Sequence, residues 1–371
     1  MIVRCPRILG TGLDDVVDGW VRIGGDRIVE VGRGDPPAGE AVEHPGWLAP
    51  GYVDLHVHGG GGAAFQSGEP ADVETAVGFH RRHGTTTMLA SLVSADVADL
   101  AAVTRRLATA VARGLIAGVH LEGPFLAPGR RGAHDVSVLR PPDPSDVRRL
   151  LDAGPVRVVT LAPELPGALD AIRTITGAGV VAAVGHTDAA YEEVVAAIDA
   201  GARLGTHLFN GMGPVHHRAP GPVVALLEDP RVVVELIADG VHVHTALVAG
   251  LLRSAASRVA LVTDAVAATG LPDGRFRLGS QYVVVRDGVS RLVVGDSLAG
   301  STLTMERAVA GAVRAGAEPA VAVAAATATP ARVLGLQDEV GSVAPGLRAD
   351  LVALDDDFAV TEVWRAGERV S

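Results

Sequence analysis

The sequence predicts an α/β fold, a (β/α)₈ TIM barrel with a small β-sandwich domain formed by both chain termini. Three observations carry that expectation. Short strand-like runs bounded by turn residues cluster at the two ends of the 371-residue chain. Between them, apolar runs alternate with Ala-rich helical stretches, the pattern of parallel strands joined by crossover helices. Eight apolar runs are found there, spread over about 215 residues, which suits a barrel in count and length.

The elements follow in order. Residues 1–50 hold short β-like runs at Ile2–Arg4, Val21–Ile23 and Ile28–Val31, with Gly-Gly-Asp at 24–26 as a turn signal. The other end behaves alike: Gly341–Val343, Asp350–Leu354 and Val363–Arg365 read as strands, with turns at 344–346 and 366–368. Residues 1–50 and 340–371 are therefore expected to form one small β domain, and 51–339 the barrel. The barrel runs are Tyr52–His58, Thr85–Val93, Leu115–Glu122, Val156–Ala162, Val180–His186, Leu204–Phe209, Val232–Ala238 and Val259–Asp264. Helical stretches at Ala71–His83, Ala95–Arg113, Leu165–Ala178, Ala189–Ala200 and Thr245–Ser257 lie between them. A doubly wound open sheet is the alternative, but no GxGxxG fingerprint follows the first strand. Residues 275–294 read as an inserted hairpin with Asp287-Gly288 at its turn.

Composition narrows the function. No apolar run approaches the ~20 residues a membrane span needs, and the first residues lack the apolar core of a signal peptide. The single cysteine, Cys5, excludes an internal disulfide and fits a reducing, cytoplasmic compartment. A net charge of -11 argues against nucleic acid as a partner. The chain contains no lysine, so all 32 of its basic residues are arginine. Schiff-base chemistry, a P-loop lysine and a lysine-derived metal bridge are thereby excluded, and an anionic substrate must be met by Arg, His or backbone amides.

Chemistry collects at the C-terminal ends of the expected strands, where a barrel enzyme keeps its active site. The first strand ends in His56 and His58, which share a face at i and i+2. The third ends in His-Leu-Glu at Glu122, the fifth in Gly-His-Thr at His186, and the sixth carries His207 and Asn210. The seventh leads to Asp239 and His242, and the eighth ends at Asp264. A single strand-end histidine is ordinarily a satisfied polar residue, and Thr187 or Asp188 could simply cap a helix. Recurrence on six of eight strands at one end favours a metal site instead. Imidazole and carboxylate ligands suit Zn²⁺ or another divalent first-row ion. Asp264, after a rigid apolar strand, is the natural group to orient a water and carry its proton.

Six segments together resemble a known family: HLEGPF (120–125), GHT (185–187), THLFN (206–210), DGVHV (239–243), TDA (263–265) and LAGSTLTM (298–305). The chain is similar to the N-acetylglucosamine-6-phosphate deacetylases of the metal-dependent amidohydrolase superfamily. The resemblance implies hydrolysis of N-acetylglucosamine 6-phosphate to glucosamine 6-phosphate and acetate. It implies that Glu122, His186 and His207 bind the principal metal and that Asp264 is the general base and later the acid. His56 and His58 match the pair that can hold a second metal, bridged here by Glu122 in the absence of lysine. One or two divalent metals per chain are implied, with zinc first and iron, manganese or cobalt as alternatives. His134 would polarise the scissile carbonyl. Asn210, Gly211, His217, Arg218 and His242 would bind substrate, Arg218 reaching the phosphate from a neighbouring subunit of a homodimer. A solvated loop charge is the plain alternative for Arg218. The chain reads Asn-Gly-Met at 210–212, where the family usually reads Asn-Ala-Met. The glycines at 59–62 are expected to leave the barrel mouth open for a sugar. The rival functions are another amidohydrolase, acting on a different N-acyl sugar or a cyclic amide, a deaminase, and a non-catalytic scaffold.

Overall fold

The computed structural model describes residues 1–10, 16–39 and 41–370. Eight parallel strands form the central sheet: β1 Tyr52–Asp54, β2 Thr85–Val93, β3 Gly118–Glu122, β4 Val156–Leu161, β5 Val181–Val184, β6 Leu204–Gly205, β7 Val233–Leu236 and β8 Val259–Leu261. They pair in sequence order. The seam closes beyond β1 and β8, where Asp264 N–H donates to His56 O at 2.8 Å and His58 N–H to Ala265 O at 2.8 Å. The chain therefore forms the expected barrel. Several strands stop two to four residues short of the expected ends, because the residues carrying chemistry leave the ladder. His186, His207 and Asp264 all have positive φ, at 48°, 26° and 49°. Such backbone is uncommon for residues with a Cβ and is held only where the surroundings over-determine it.

Helices wrap the barrel because their apolar residues repeat at helical spacing. In Val97–Ala112 the buried face is Val97, Leu100, Ala101, Thr104, Leu107 and Ala110, a stripe at i, i+3, i+4 and i+7. It joins a core running from Leu89 and Leu121 through Ile172 and Ile198 to Leu261. Each fully buried Leu or Ile contributes roughly 1.5–3 kcal/mol relative to an exposed one. Helices Pro144–Leu151, Gly221–Glu228 and Met305–Arg314 complete the ring. Pro144–Leu151 and Gly221–Glu228 have only 8 residues each, too few for periodicity to mark them, whereas Met305–Arg314 buries Met305, Ala308, Val309 and Ala312 at helical spacing.

The termini build one further domain. Strands Ile2–Ile8, Val16–Gly24, Arg27–Arg33, Ala41–Glu43 and Trp47–Pro50 join Leu351–Leu354, Val360–Arg365 and Glu368–Arg369 in one continuous sheet. It wraps on itself: Arg27 bridges Arg348, around a core of Val3, Ile8, Val21, Leu48, Leu351 and Trp364. Segment 341–343 is not a strand. It lies against the sheet through one bond, Val343 N–H to Gly10 O at 2.8 Å. The insertion is a three-stranded antiparallel sheet, Gly274–Leu278, Gln281–Arg286 and Val289–Leu292. Asp287-Gly288 makes its second turn, and Leu278, Val283 and Val285 pack on Val93 and Val266.

The glycines after His58 do not open the mouth. Gly59 and Gly60 pair with Ala64 and Ala63 in a small hairpin, and both are buried. A Cβ on Gly60 would lie 2.7 Å from His80 Nε2 and 2.8 Å from Phe79. A Cβ on Gly59 would lie 2.2 Å from Ala63 O of the partner strand, so Gly59 is required by the hairpin and Gly60 by the helix that packs on it.

Candidate metal centre and active site

Five histidines and two carboxylates converge at the C-terminal end of the barrel. Glu122, at the end of β3, is central and buried. Its Oε1 lies 3.0 Å from His186 Nε2 and 2.9 Å from His207 Nε2. Its Oε2 lies 3.3 Å from His58 Nε2 and 3.6 Å from His56 Nε2. One carboxylate thus faces two histidine pairs with different oxygens. Two sets able to hold a metal result, His56–His58–Glu122 and Glu122–His186–His207, each with ligand atoms within 4.8 Å of one another.

The orientation of the rings shows that these residues fit a cation. His58 Nδ1–H donates to Ser91 O at 3.1 Å, His186 Nδ1–H to Arg130 O at 2.8 Å, and His56 Nδ1–H to Glu235 Oε2 at 3.1 Å. Each Nε2 is therefore turned inward. His56 and His58 Nε2 are 3.2 Å apart, and His186 and His207 Nε2 are 3.1 Å apart. Bare nitrogens at such distances repel, so positive charge belongs between them. In the metal-free chain protons supply that charge at the His56–His58 pair. Burial pushes His58 down, but Asp264 and Glu122 outweigh it and hold it up at about 9. His56 is likewise raised, burial being outweighed by Glu122, Asp264 and Glu235. His56 and His58 would have to give up these protons to hold a divalent ion.

Asp264 follows β8. Its Oδ1 is 3.2 Å from His58 Nε2 and 3.6 Å from His56 Nε2. Burial raises its pKa, but His56 and His58 prevail and hold it down to about 2, so it stays ionised. His134 comes from the loop after β3, with Nε2 3.3 Å from Glu122 Oε2. Its Nδ1 accepts from Ser94 N–H at 3.2 Å, which places the ring proton on Nε2, toward the centre. Burial, outweighing Glu122, holds His134 down to about 4, so it is a neutral donor.

All of these groups but His56, which lies fully buried behind them, share a cavity of about 250 Å³ with Asn210, Gly211 and His242. His242 Nδ1–H donates to Asp239 Oδ2 at 2.6 Å. Asn210 turns its amide back onto His207 O at 3.2 Å. Gly211 has φ +63°, and a Cβ there would sit 2.8 Å from His186 Nδ1. This backbone therefore suits glycine better than alanine. His217 and Arg218 are not brought to the cavity of their own chain. Both are exposed, with Arg218 Nη1 2.6 Å from His217 Nε2.

Sequence reasoning did not find the layer beneath. His120 is fully buried, bonded to Ser91 Oγ at 3.0 Å and Thr160 Oγ1 at 2.8 Å, and Thr160 continues to Thr206 at 2.8 Å. Asp54 accepts from Thr263 Oγ1–H at 2.6 Å and His56 N–H at 3.2 Å. Glu235, also fully buried, holds His56. The available signal was a carboxylate inside an apolar strand run, at Tyr-Val-Asp (52–54) and Val-Val-Glu-Leu (233–236). Leu278 of the inserted sheet, with Val93, Ala133 and Leu298, gives the cavity its apolar side.

Comparison with known proteins adds the following. The Amidohydrolase family model matches residues 47–370. The chain is 40% identical to N-acetylgalactosamine-6-phosphate deacetylase of Escherichia coli O157:H7, over 87% of this chain and 88% of that one. It is 38% identical to N-acetylglucosamine-6-phosphate deacetylase of Vibrio furnissii, over 87% and 82%. Among solved structures, an aspartate-to-alanine variant of N-acetyl-D-glucosamine-6-phosphate deacetylase from Mycobacterium smegmatis, in complex with N-acetyl-D-glucosamine-6-phosphate, superposes with a TM-score of 0.96. That protein is 48% identical, with 100% of this chain and 99% of the other covered.

Proposed function

The chain belongs to the amidohydrolase family, and on that premise we propose that it hydrolyses the acetamide of N-acetylglucosamine 6-phosphate to glucosamine 6-phosphate and acetate. The observation that carries this is Glu122, which offers one oxygen to each of two histidine pairs and lines a cavity that also holds Asp264 and His134. The similar proteins named above supply the substrate class.

Glu122, His186 and His207 would hold the principal divalent ion, zinc in the first place, and His56, His58 and Glu122 a second. Such an ion supplies Lewis acidity when bound, polarising a carbonyl and lowering the pKa of water toward ~7. The chain's own residues do the rest. Asp264, ionised at neutral pH, takes a proton from the attacking water at a carboxylate oxygen. His134 donates its Nε2–H to the carbonyl oxygen as negative charge develops there. Asp264 then delivers its proton to the amide nitrogen as the C–N bond breaks, so one carboxylate serves as base and acid. His242, fixed by Asp239, orients a sugar hydroxyl from the opposite wall. Asn210 and Gly211 line the sugar's path. His217 and Arg218 are exposed and do not line their own cavity, which suits a homodimer in which Arg218 pairs with the phosphate bound by the neighbouring chain. A cytoplasmic setting suits the single cysteine and the phosphorylated substrate. No helix among the described residues is long and apolar enough to cross a membrane.

The galactosamine epimer is a second reading, favoured by the 40% identical relative. A substrate panel decides between them. It should contain both N-acetylhexosamine 6-phosphates, unphosphorylated N-acetylglucosamine and a cyclic amide, with acetate or ring-opened product measured. Fastest turnover is expected with N-acetylglucosamine 6-phosphate. Preference for a cyclic amide or an unphosphorylated sugar would overturn the assignment.

A further inference from the structure

The mechanism above leaves Glu235 unused, although its carboxylate is fully buried. It sits on β7, an apolar strand, and points into the barrel beneath the metal-binding groups. Its Oε2 accepts twice: from His56 Nδ1–H at 3.1 Å and from the backbone N–H of His207 at 3.2 Å. These two residues belong to different metal-binding groups. One oxygen therefore ties the first histidine pair to the second. Its Oε1 has no hydrogen-bond partner among the described residues.

A buried carboxylate with one unpartnered oxygen is costly unless nearby positive charge compensates it. Asp54, the neighbouring buried carboxylate, is different: it spends both oxygens on Thr263 and backbone N–H groups. For Glu235 the compensating charge must come from the centre itself. Three carboxylates then face that centre: Glu122, Asp264 and Glu235. Against their three negative charges, one divalent ion leaves an excess of one negative charge in a buried space. Two divalent ions leave one positive charge, which suits an anionic oxygen ligand. Glu235 therefore matches a centre holding two cations. Its bond to Nδ1 also fixes which His56 nitrogen faces the metal and strengthens it as a donor.

We propose that Glu235 is a positioning residue that makes the His56–His58 group a working second metal position, by fixing the His56 ring and balancing the charge of the second ion. The inference rests on the metal-centre reading of the site. Glu235 does not line the cavity, and its charge acts on the second metal position through His56. Its link to the His207 backbone serves geometry and is kept by any side chain that offers an oxygen there.

The test is a cobalt(II) titration of the metal-free full chain, read by absorbance and by metal per chain after dialysis against a buffered concentration of free ion. Wild type is compared with Glu235→Gln, which keeps shape and oxygen but not charge, and with Glu235→Leu, which is apolar and of similar volume. The second variant covers the case in which the amide misfolds. Unfolding of each metal-free protein is followed in parallel. Wild type is expected to take two ions in two steps. In Glu235→Gln the weaker step is expected to lose 10–100-fold in affinity and the tighter step to stay within about threefold. Glu235→Leu is expected to take one ion, with metal-free stability lowered because His56 Nδ1–H and His207 N–H lose their acceptor. Two unchanged steps in Glu235→Gln would overturn the inference alone. Equal weakening of both steps in that variant, with lower metal-free stability, would make Glu235 a general support of the fold and overturn it too. A wild type that takes a single ion would overturn the two-cation reading and this inference with it.

Discussion

Replacing Asp264 by Asn tests the proton path most sharply. The carboxylate is 8% exposed, so Asn fills its place without opening a cavity. What it removes is a charge 3.2 Å from His58 Nε2 and 3.6 Å from His56 Nε2, and a base able to exchange a proton. General acid–base catalysis supplies typically 10²–10⁴ in rate. Asp264 is assigned both the water's proton and the amine's, so the loss belongs near the top of that range. A fall of about 10⁴ in kcat corresponds to roughly 5.5 kcal/mol of barrier. Neither metal-binding set depends on Asp264, so metal content is expected to hold, as is substrate affinity. The variant has a second signature. Asp264 is a main cause of the raised pKa of His58, so His58 titrates lower without it. Metal uptake at neutral pH should then release fewer protons. The assay is kcat by acetate release, with metal analysis on the same sample and calorimetric proton release in two buffers of different ionisation enthalpy. A kcat within tenfold of wild type, metal retained, would refute the assignment of Asp264 as base and acid.

Three further outcomes are expected. The double variant His56→Asn, His58→Asn should lower metal content by one ion per chain, because Glu122–His186–His207 remains intact; unchanged stoichiometry by elemental analysis would mean that the pair only shapes the cavity. His134→Gln removes a neutral Nε2–H donor and should lower kcat by about 10²–10³ with little change in KM, checked by steady-state kinetics on the metal-loaded enzyme. His80, buried beneath the glycine hairpin, is held down to about 4 by burial, which outweighs its bond to Gly59 O. The folded state therefore resists a proton that the unfolded chain accepts near 6.5, so stability from this residue is full above pH 6.5 and is lost as pH falls toward 4. The loss is about 3 kcal/mol, and His80→Gln should shrink the difference in unfolding free energy between pH 7 and 4 when both metal-free proteins are compared by denaturant titration.

Much of this architecture was written in periodicity. The strand runs could be read because parallel strands covered on both faces are nearly continuous apolar segments, as at Thr85–Val93. Their ends were read too long, because His186, His207 and Asp264 leave the ladder in left-handed backbone that no pattern announces. The segment 341–343 has strand-like residues but only one ladder bond available to it. The inserted sheet read as a hairpin because one of its turns, Gly279-Ser280, lacks the strong signal of Asp287-Gly288. At the site, Glu122, His58, His186, His207 and Asp264 could be picked out because several strands repeat polar residues at one end. Glu235 and Asp54 show in the sequence only as carboxylates inside apolar runs, and their roles, like that of His120, depend on which strands become neighbours: Glu235 is 179 residues from His56 in sequence and 3.1 Å away in space. The glycines at 59–62 show the opposite error. They read as an open loop, but a glycine also permits the closest packing, and here the hairpin partner packs on Gly59 and a helix on Gly60 and Gly61.

The central claim is that this chain is a metal-dependent deacetylase of an amino-sugar phosphate. It is tested most directly by following acetate and free amine from N-acetylglucosamine 6-phosphate with one preparation, before chelation, after complete metal removal, and after zinc is returned. Acetate and amine are expected in equal amounts, lost with the metal and restored with it. Unchanged turnover by the metal-free protein, or no acetate from the fully loaded one, would contradict the account.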